Sequence, residues 1–457
     1  MTATDKYTGV GTFKPRQKSG IAALIAGIRA VNQGTLSIWN KGDFINEIIE
    51  RRFLWKRGFL INAPDVLRHI LLDNADNYSR SRTEARLFEP VLGKGLITLE
   101  GNEWRHIRRA MAPPFSPRHV TQFAPGMVKA AREMLDEWDR LPVDAVVDVK
   151  REMNHLTFKV ITRAMFSTEP DADLTTFDAS LSRYQEVIRP HIADLIGLPE
   201  WFPRVRAGRA RGILRVIDSA IDRILAHRRR EGIHHGDLLD ILMTGSDGEE
   251  GLSRKEIRDQ LATVLVTGHE TTANALTWTL YLLAQHPAEE AKLHTELTQV
   301  LDGCEPRHDD LPALPRLKMI IEEAMRLYPS VHTFTRQAIG PDRLRDRDIP
   351  AGTEITISPY VLHRHRRLWR KPDLFDPERF TPKQVAARPR FSYLPFGAGP
   401  RICLGAAFSM VESSLLLATI MQRYRMRLAP GAVIDAAPQI TLRPRHGMPM
   451  LLERRHS

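Results

Sequence analysis

The sequence predicts a mainly α-helical protein with a smaller β region, an α+β fold. Apolar residues recur at helical spacing through most of the 457 residues, whereas strand-like alternation is confined to short stretches. The longest helical pattern covers residues 253–286 and is apolar on most sides, so we expect this helix to cross the centre of the protein. The clearest strand pattern covers residues 333–358.

The elements of the first half follow from local signals. Residues 1–100 mix short strand and helix patterns. Residues 104–111 form a predicted helix, with Asn102 as its N-cap and Pro113 near its end. Residues 120–230 show several amphipathic helical patterns. We therefore expect a helical first half with only short strands.

The second half begins with the long helix. Ser253 and Glu256 form a capping box at its start, and Pro287 closes its far end. A further helix is predicted over residues 317–328. Residues 363–399 form a long irregular segment, and an irregular segment of that length inside a domain is often functional.

Composition limits the cellular setting of the protein. The two cysteines, Cys304 and Cys403, exclude a disulfide framework and favour a reducing compartment. The apolar stretch at residues 21–28 is far shorter than the roughly 20 residues that a membrane span needs. No small-residue cleavage site clearly follows this stretch. We expect a cytoplasmic protein without a transmembrane segment.

The net charge of +11 comes largely from arginine. The chain lacks the pattern of a nucleic-acid-binding module, so nucleic acid is not an expected ligand. An acidic protein partner is the more natural explanation of the basic excess. Length alone suggests about three domains, but no linker, charge block or repeat divides the chain. We therefore predict one domain over residues 1–457.

Cys403 is the most informative residue of the chain. A thiolate is a strong, soft ligand for iron and copper. Gly397 and Gly399 favour a tight loop before it, and the apolar spacing after it predicts a buried helix. Cys403 would then lie at a helix N-terminus, where the dipole lowers the pKa of a thiol. The alternatives are a nucleotide-binding loop, which lacks its third glycine, and an ordinary buried thiol.

The long helix contains two residue types that are unfavourable in a buried helix. Gly268 costs a helix about 1 kcal/mol relative to Ala, and Glu270 is a charged residue in a buried helix. Thr271 would direct its hydroxyl to the same face as Gly268. Conflicts of this kind often mark a functional site. The alternative is a polar patch at a contact between two helices.

Several motifs resemble those of the cytochrome P450 family. Residues 396–405 have the spacing Phe-x-x-Gly-x-Arg-x-Cys-x-Gly, which resembles the haem-binding signature of that family. Residues 267–272 resemble its oxygen-activation motif, which usually begins with Ala or Gly and here begins with Thr267. Glu323-x-x-Arg326 resembles its Glu-x-x-Arg pair.

Three weaker motifs of the same family also occur along the chain, in the order that the family has. Trp104 and Arg108 match the family pattern Trp-x-x-x-Arg, and Arg336 matches a residue that binds a haem propionate. Residues 377–380 resemble the segment that supplies a second arginine, Arg379, to the Glu-x-x-Arg pair. By itself each arginine is more commonly a surface residue.

The resemblance implies a cytochrome P450 fold, with haem b between the long central helix and the cysteine loop and helix. Its iron would be ligated by Cys403, the metal ligand. Glu270 and Thr271 would form a catalytic proton relay, and Glu323, Arg326 and Arg379 a structural network. The residues expected to bind the cofactor are Trp104, Arg108, Gly268, Arg336, Phe396, Gly399, Arg401, Cys403 and Gly405.

The resemblance also implies a haem-thiolate monooxygenase that inserts one atom of O2 into an apolar molecule such as a terpenoid, steroid or fatty acid. Electrons would come from an acidic ferredoxin with a flavin reductase, because no such module follows Cys403. Candidate docking residues are Arg105, Arg109 and the arginines of residues 364–370. Residues 170–215 would cover the substrate pocket. The expected pocket residues are Val264, Thr267, Val331, Thr333 and Phe334.

Two alternatives remain open from the sequence. One is a haem-thiolate enzyme that uses peroxide or isomerises an oxygenated lipid, which would have no need of the pair Glu270 and Thr271. The other is a haem sensor or ligand carrier, which would need neither that pair nor a basic docking surface.

Overall fold

The computed structural model describes residues 35–53, 56–169, 180, 207–244 and 251–455. These residues form a mainly α-helical fold with small β-sheets, which confirms the predicted fold class. Of the expected pocket cover at residues 170–215, residues 170–179 and 181–206 lie outside the described residues. No helix in the described ranges is long and apolar enough to cross a membrane.

The α-helices have the following bounds: α1 Pro64–Arg68, α2 Arg82–Leu92, α3 Gly101–Met111, α4 Pro117–Trp138, α5 Val149–Phe166, α6 Ala207–Glu231, α7 Leu238–Thr244, α8 Arg254–Gln285, α9 Pro287–Leu301, α10 Pro315–Leu327, α11 Pro359–Leu362, α12 Pro382–Ala387 and α13 Ala406–Arg423. A π-helical turn at His69–Asp73 continues α1. Single 3-10 turns lie at Thr35–Ile38, Lys41–Phe44, Ala75–Asn77, Pro113–Phe115, His308–Ala313, Pro377–Phe380 and Gly399–Arg401.

The strands are short: β1 Ile48–Phe53, β2 Lys56–Ile61, β3 Tyr78–Ser79, β4 Val146–Asp148, β5 Phe334–Ala338, β6 Asp342–Leu344, β7 Arg347–Ile349, β8 Glu354–Ile357, β9 Tyr424–Leu428, β10 Ala436–Pro438, β11 Leu442–Pro444 and β12 Pro449–Arg454. The largest sheet has the order β1-β2-β8-β5-β3, and only its β2–β8 pair is parallel. Strands β4, β12 and β9 form a second sheet, and β6–β7 and β10–β11 are hairpin pairs.

Helix α8 lies at the centre of the fold, as its apolar pattern predicted. Its side chains are buried along nearly its whole length, and it packs against α5, α10 and α13. The predicted capping box is present, because the Ser253 side chain accepts from the backbone of Glu256 and the Glu256 side chain accepts from the backbone of Ser253. Both ends of this helix were therefore predictable from its local sequence.

The start of α3 differs from the prediction. The helix begins at Gly101 with Glu100 as its N-cap residue, so Asn102 lies inside the first turn and is not the cap. Glu100 makes no capping hydrogen bond of its own. Its carboxylate is bound instead by the backbone N–H of Arg80 and by the side chain of Arg401. The side chain of Glu100 is thus used for tertiary contacts and does not cap the first turn of α3.

The predicted strand region and the irregular segment after it are both present. Residues 333–358 contain β5 to β8, and Gly352 in the turn before β8 has a φ of 80°. Residues 363–399 are irregular apart from short helical turns that begin at Pro377 and Pro382. Proline favours the first position of such turns because its φ is already helical.

Candidate active site

A large cavity lies between α8 and the loop that carries Cys403. It is closed by residues of α2, α3, α5, β5 and the start of α13. All the residues expected to bind the cofactor line this cavity except Gly399, which lies in the loop behind Arg401. The accessible surface of Cys403 belongs to the wall of this cavity, and protein surrounds the residue otherwise. The cavity therefore brings together motifs that are up to about three hundred positions apart in the printed chain.

The shape of the cysteine loop depends on Gly399. This residue has a φ of 71°, and a Cβ placed on it would lie 1.6 Å from the carbonyl oxygen of Leu71. No side chain fits there, because the left-handed backbone and the backbone of Leu71 both exclude it. The backbone N–H of Cys403 donates to the carbonyl of Phe396 at 2.9 Å and closes the loop. The cysteine is thus held two residues before Gly405, the N-cap of α13.

The thiol of Cys403 is in a different electrostatic setting from the one expected. Burial raises its pKa above the usual range, and this effect exceeds the opposing ones. The Gly405 backbone N–H, which donates to the sulfur, and the nearby Arg108 both lower it. The expectation that the helix N-terminus would give a lowered thiol pKa is therefore wrong for the protein alone, because loss of hydration outweighs two donors.

Gly268 lines the cavity, but its position serves helix packing as well. A Cβ on Gly268 would lie 3.2 and 3.3 Å from the side chain of Ile161 on α5. The glycine thus lets α8 and α5 approach closely. Helix α8 is continuous through this region and does not open locally at the threonines. The helical cost of Gly268 is therefore offset partly by packing, a reason that periodicity alone did not reveal.

Two threonine hydroxyls of α8 face the cavity one after the other. The Thr271 hydroxyl donates to the carbonyl of Thr267 at 2.8 Å, which leaves its oxygen lone pairs for another donor. The carbonyl of Thr271 accepts from the Ser330 hydroxyl at 2.7 Å. The Thr272 hydroxyl lies 3.1 Å from that of Ser409 on α13. These bonds fix the rotamers of both threonines.

Glu270 is buried beside the C-terminal strands. Its Oε1 accepts from the Thr441 hydroxyl at 3.0 Å, and Nη1 of Arg443 lies 3.7 Å from the same oxygen. Both Glu270 and Thr441 line the cavity. The carboxylate is therefore satisfied by a charged partner and a hydroxyl, as a buried charge requires.

The predicted arginine ligands converge at one end of the cavity. The guanidinium of Arg401 lies over the Trp104 ring at 4.3 Å, and that of Arg108 lies 5.7 Å from the same ring. Arg108 donates to the carbonyl of Ile402 at 2.8 Å. Arg336 is buried, and its side chain donates to the Thr335 carbonyl at 2.9 Å. Burial lowers the pKa of Arg336 and of Arg401 to about 10.

The Glu323–Arg326 pair is fully buried and has a structural geometry. Two hydrogen bonds of 2.6 and 2.8 Å join the side chains, and Nε of Arg379 lies 3.4 Å from Glu323. Arg326 also donates to carbonyls of the irregular segment at positions 363, 372 and 374. The three residues thus tie α10 to the segment that leads into the cysteine loop, and they lie outside the cavity lining.

The five predicted pocket residues all line the cavity. They are Val264, Thr267, Val331, Thr333 and Phe334. The Thr267 hydroxyl donates within the helix, to the carbonyl of Thr263 at 2.7 Å. The hydroxyl of Thr333 is also engaged, because it lies 2.7 Å from the carbonyl oxygen of His332 and 3.2 Å from the hydroxyl of Ser358. The lining is therefore mostly apolar, with threonine hydroxyls whose hydrogens are already used.

The two groups of candidate docking arginines lie in different places. Arg105 and Arg109 are exposed on α3, the helix that carries Trp104 and Arg108. Arg364 is buried against Tyr360, at 4.0 Å from the ring, so the expectation that it is a docking residue is wrong. Arg366 and Arg367 are exposed beside the segment at residues 44–47.

Sequence reasoning missed four polar residues at or beside the cavity. Arg80 and Glu84 line it, and Glu100 binds Arg401 behind it. Glu412 is buried on α13 beside Thr272, and burial raises its pKa well above the usual range. A charged residue inside an apolar helix was a usable signal for Glu412. Arg80 and Glu84 belong to a charge-rich stretch that gave no such signal.

Comparison with known proteins agrees with this geometry. A family model described as Cytochrome P450 matches residues 42–448. The chain is 36% identical to the cyclooctatin synthase of Streptomyces melanosporofaciens over 402 aligned residues. The aligned region covers 87% of this chain and 86% of that protein. It is 32% identical to the cyclooctat-9-en-7-ol 5-monooxygenase of the same organism, over 88% of each chain. It is 31% identical to the pentalenene oxygenase of Streptomyces avermitilis, over 81% of this chain and 82% of that protein.

Proposed function

Since the chain belongs to the cytochrome P450 family, an oxidoreductase family of haem-thiolate monooxygenases, we propose that it inserts one atom of O2 into an apolar small molecule. The single observation that carries this proposal is the position of Cys403. It opens onto the same cavity as the polar residues of α8 and the converging arginines.

The residues of the cavity fit a haem. A thiol faces the cavity from one side. Arginine side chains that donate to backbone carbonyls in the described part of the chain lie at one end, where two propionates would bind. Haem supplies the redox-active iron that activates O2, and a thiolate ligand favours cleavage of the O–O bond. We propose Cys403 as that ligand, and haem b as the form bound, because Cys403 is the only cysteine in the loop signature.

The roles of the other residues follow from their contacts. Trp104, Arg108, Arg336 and Arg401 would hold the propionates. Phe396 would shield the sulfur, and Gly399 and Gly405 would give the loop its shape. Thr271 would hold a water in place with its free lone pairs, and Glu270 would pass protons to that water. Glu323, Arg326 and Arg379 hold the irregular segment in place.

A terpenoid is the preferred substrate class among the three apolar classes. Relatives are named for the oxygenation of cyclooctat-9-en-7-ol and of pentalenene. The apolar lining of Val264, Val331 and Phe334 suits a hydrocarbon skeleton. The threonines of the lining add hydroxyl oxygens that can accept a hydrogen bond from a substrate alcohol.

The electron donor is proposed to be a separate acidic ferredoxin with a flavin reductase. The net charge of +11 favours an acidic partner. The exposed Arg105 and Arg109 lie on the same helix as the propionate-binding pair, which gives a short path to the cofactor. We propose that residues 1–457 form one domain of this kind, in the cytoplasm, where cysteine thiols stay reduced.

The first experiment is the absorption spectrum of the reduced protein with CO. We expect a Soret band strongly red-shifted from that of a histidine-ligated haem, and Cys403→Ser should abolish it. Cys304→Ser is the matched control, because Cys304 is exposed after α9 and lies outside the cavity lining. Wild-type protein that carries no haem, or whose CO complex is typical of histidine ligation, would overturn the proposal.

A second experiment separates the reaction types. Candidate terpenoids are incubated with NAD(P)H, ferredoxin and reductase under O2, and in parallel with hydrogen peroxide alone. The proposal expects one product molecule for each O2 consumed in the first mixture. Product formation only with peroxide, or without any oxidant, would show a different haem-thiolate reaction.

A further inference from the structure

A second space lies beside the main cavity, between α10, α13 and the 3-10 turn at His308–Ala313, and we call it the α10–α13 groove. Its volume of about 490 Å³ is in the range of sites that bind small organic molecules. The buried side chains of Leu314 and Leu317 are part of its mainly apolar lining. Lys318 and Ile402 also line the groove and are exposed, so it opens to solvent.

The groove and the main cavity share a wall. Five residues line both spaces: Met325, Pro395, Phe396, Gly397 and Ile402. Most of this wall belongs to the cysteine loop, in which the backbone N–H of Cys403 donates to the carbonyl of Phe396 at 2.9 Å. A molecule in the groove would therefore contact the loop that carries the proposed iron ligand.

Glu322 gives the groove an acceptor that the protein does not use. This residue lines the groove and is half-buried, and its backbone carbonyl accepts from the Tyr393 hydroxyl at 2.8 Å. Its carboxylate has no hydrogen bond or ion pair within the described part of the chain. Burial raises the pKa of this carboxyl, and Lys318 and Arg388 oppose the rise through their charge alone. A donor on a bound molecule would satisfy these oxygens.

The position of Lys318 decides which donor fits. Lys318 lies one helical turn before Glu322, and both residues line the groove. A hydroxyl group suits the space between them, because its oxygen accepts from the ammonium and its hydrogen donates to the carboxylate. Lys318 would repel a cationic ligand, and Glu322 would repel an anionic one. The hydroxyls of Tyr393 and Ser414, which also line the groove, already donate to backbone carbonyls.

We propose that the α10–α13 groove binds an apolar alcohol, with its hydroxyl between Glu322 and Lys318 and its hydrocarbon part against Leu314 and Leu317. This inference rests on the proposed function, because insertion of one oxygen atom of O2 into a C–H bond of an apolar molecule gives such an alcohol. The groove is then a second site for the product of the main cavity, and its occupant supports the cysteine loop from outside that cavity.

The test is photochemical cross-linking of the ferric holoprotein with farnesol that carries a diazirine. The matched probe has the same diazirine on the hydrocarbon farnesene. Labels at residues 311–318 or 410–414 report the groove, because these ranges contribute to its lining and not to that of the main cavity. We expect the alcohol probe to label these ranges at least about tenfold more than the hydrocarbon probe, since only the alcohol gains the hydrogen bond to a carboxylate. Excess unlabelled farnesol should compete for the label.

Three variants assign the label to the groove. Glu322→Met keeps a long helix-forming side chain but removes the acceptor, and it should lower labelling of the groove about tenfold while labelling of the main cavity stays unchanged. Val411→Phe adds bulk inside the groove and should abolish its label. Glu137→Met is the matched control, because Glu137 is an exposed helical glutamate outside both linings. Equal groove labelling by the two probes, or in wild type and Glu322→Met, would overturn the proposal.

The release of haem to excess apomyoglobin tests the contact with the cysteine loop. A molecule that binds only the closed loop slows its opening, by about threefold at a farnesol concentration of twice the Kd of the groove. Wild type and Glu137→Met should show this slowing, and Glu322→Met and Val411→Phe should lose it. Farnesol in the main cavity would slow release equally in all four proteins, and that result would overturn the contact between the occupant and the loop.

Failure of this inference can be told apart from failure of the proposed function. If wild type has the thiolate CO spectrum but no farnesol label in the groove, only the second site fails. If wild type carries no haem, the alcohol is not a product of this chain, and both proposals fail.

Discussion

The carboxylate of Glu270 accepts a hydrogen bond from the hydroxyl of Thr441 at 3.0 Å, although the two residues are 171 positions apart in the chain. Arg443 lies 3.7 Å from the same oxygen. Helix α8 therefore presents its one motif carboxylate to the C-terminal strands, while Thr271 faces the cavity beside it. Proton transfer through Glu270 requires the carboxylate to exchange partners between these two sides.

We expect Glu270→Gln to lower the turnover number by about a hundredfold, because an amide cannot pass a proton between solvent and the cavity. The reduced CO spectrum should be unchanged, since the variant leaves Cys403, the proposed iron ligand, in place. Steady-state turnover and the solvent isotope effect measure the change. Thr441→Ser keeps the hydroxyl partner and serves as control. Wild-type turnover in Glu270→Gln would remove Glu270 from the relay.

Thr271→Ala should keep the haem spectrum but lose coupling between reductant use and product. The variant loses the hydroxyl oxygen whose hydrogen bonds to Thr267 and whose lone pairs face the cavity. The ratio of product to NAD(P)H consumed is the measurement. Thr271→Ser retains the hydroxyl and should stay coupled. An unchanged ratio in Thr271→Ala would count against the relay.

Breaking the buried pair of Glu323 and Arg326 should destabilise the protein by about 3–5 kcal/mol, because a buried charge is left without its partner. Both side chains have no exposed surface. Glu323→Gln is expected to lower the thermal midpoint and the haem content together, since Arg326 also holds three carbonyls of the irregular segment. The control is Arg132→Ala, which breaks an exposed pair with Glu305 and should cost at most about 1 kcal/mol. Equal losses in both variants would contradict a special role of the buried pair.

The elements that are set by local sequence were the ones that could be predicted. The capping box of α8 and the proline-marked ends of the helices are local signals, and the structure has them. Asn102 failed as a cap because Glu100 is engaged by Arg80 and Arg401, and that contact joins distant parts of the chain. The raised pKa of the Cys403 thiol was missed for a related reason. The degree of burial depends on the whole fold.

In the candidate site, too, residues with a fixed local spacing were predictable, and residues placed by long-range contacts were not. Motifs with fixed spacing predicted one site for Cys403, Glu270 and Thr271, and all three residues line the same cavity. Arg80 and Glu84 have no such spacing, and their place follows only from the pairing of β3 with β5. Arg364 looked like its exposed neighbours in sequence, yet it packs against Tyr360. Long-range pairing and side-chain burial are therefore the parts that the pattern of residues did not determine.

Glu412 is expected to make the stability of the protein depend on pH. Burial raises the pKa of its carboxyl well above the usual 4.5 in the folded protein, although the nearby Thr272 hydroxyl opposes the rise. The folded state therefore holds the proton more tightly than the unfolded chain, and stability falls as pH rises from about 4.5 towards the folded pKa. Glu412→Gln should remove this fall, so its gain in thermal midpoint over wild type should grow with pH. A constant difference across pH would show that Glu412 is not the titrating group.

Charge reversal on α3 tests the docking face. Arg105→Glu combined with Arg109→Glu should slow reduction by an acidic ferredoxin at low salt by about tenfold, because both side chains are exposed near the propionate-binding residues. The wild-type rate should fall steeply with added salt, and the rate of the double variant should depend on salt much less. Stopped-flow reduction under CO gives both rates. Arg366→Glu reverses an exposed arginine beside residues 44–47 and should leave the rate near wild type. A salt-insensitive wild-type rate would contradict electrostatic docking, and a larger loss in Arg366→Glu would move the docking face to that arginine.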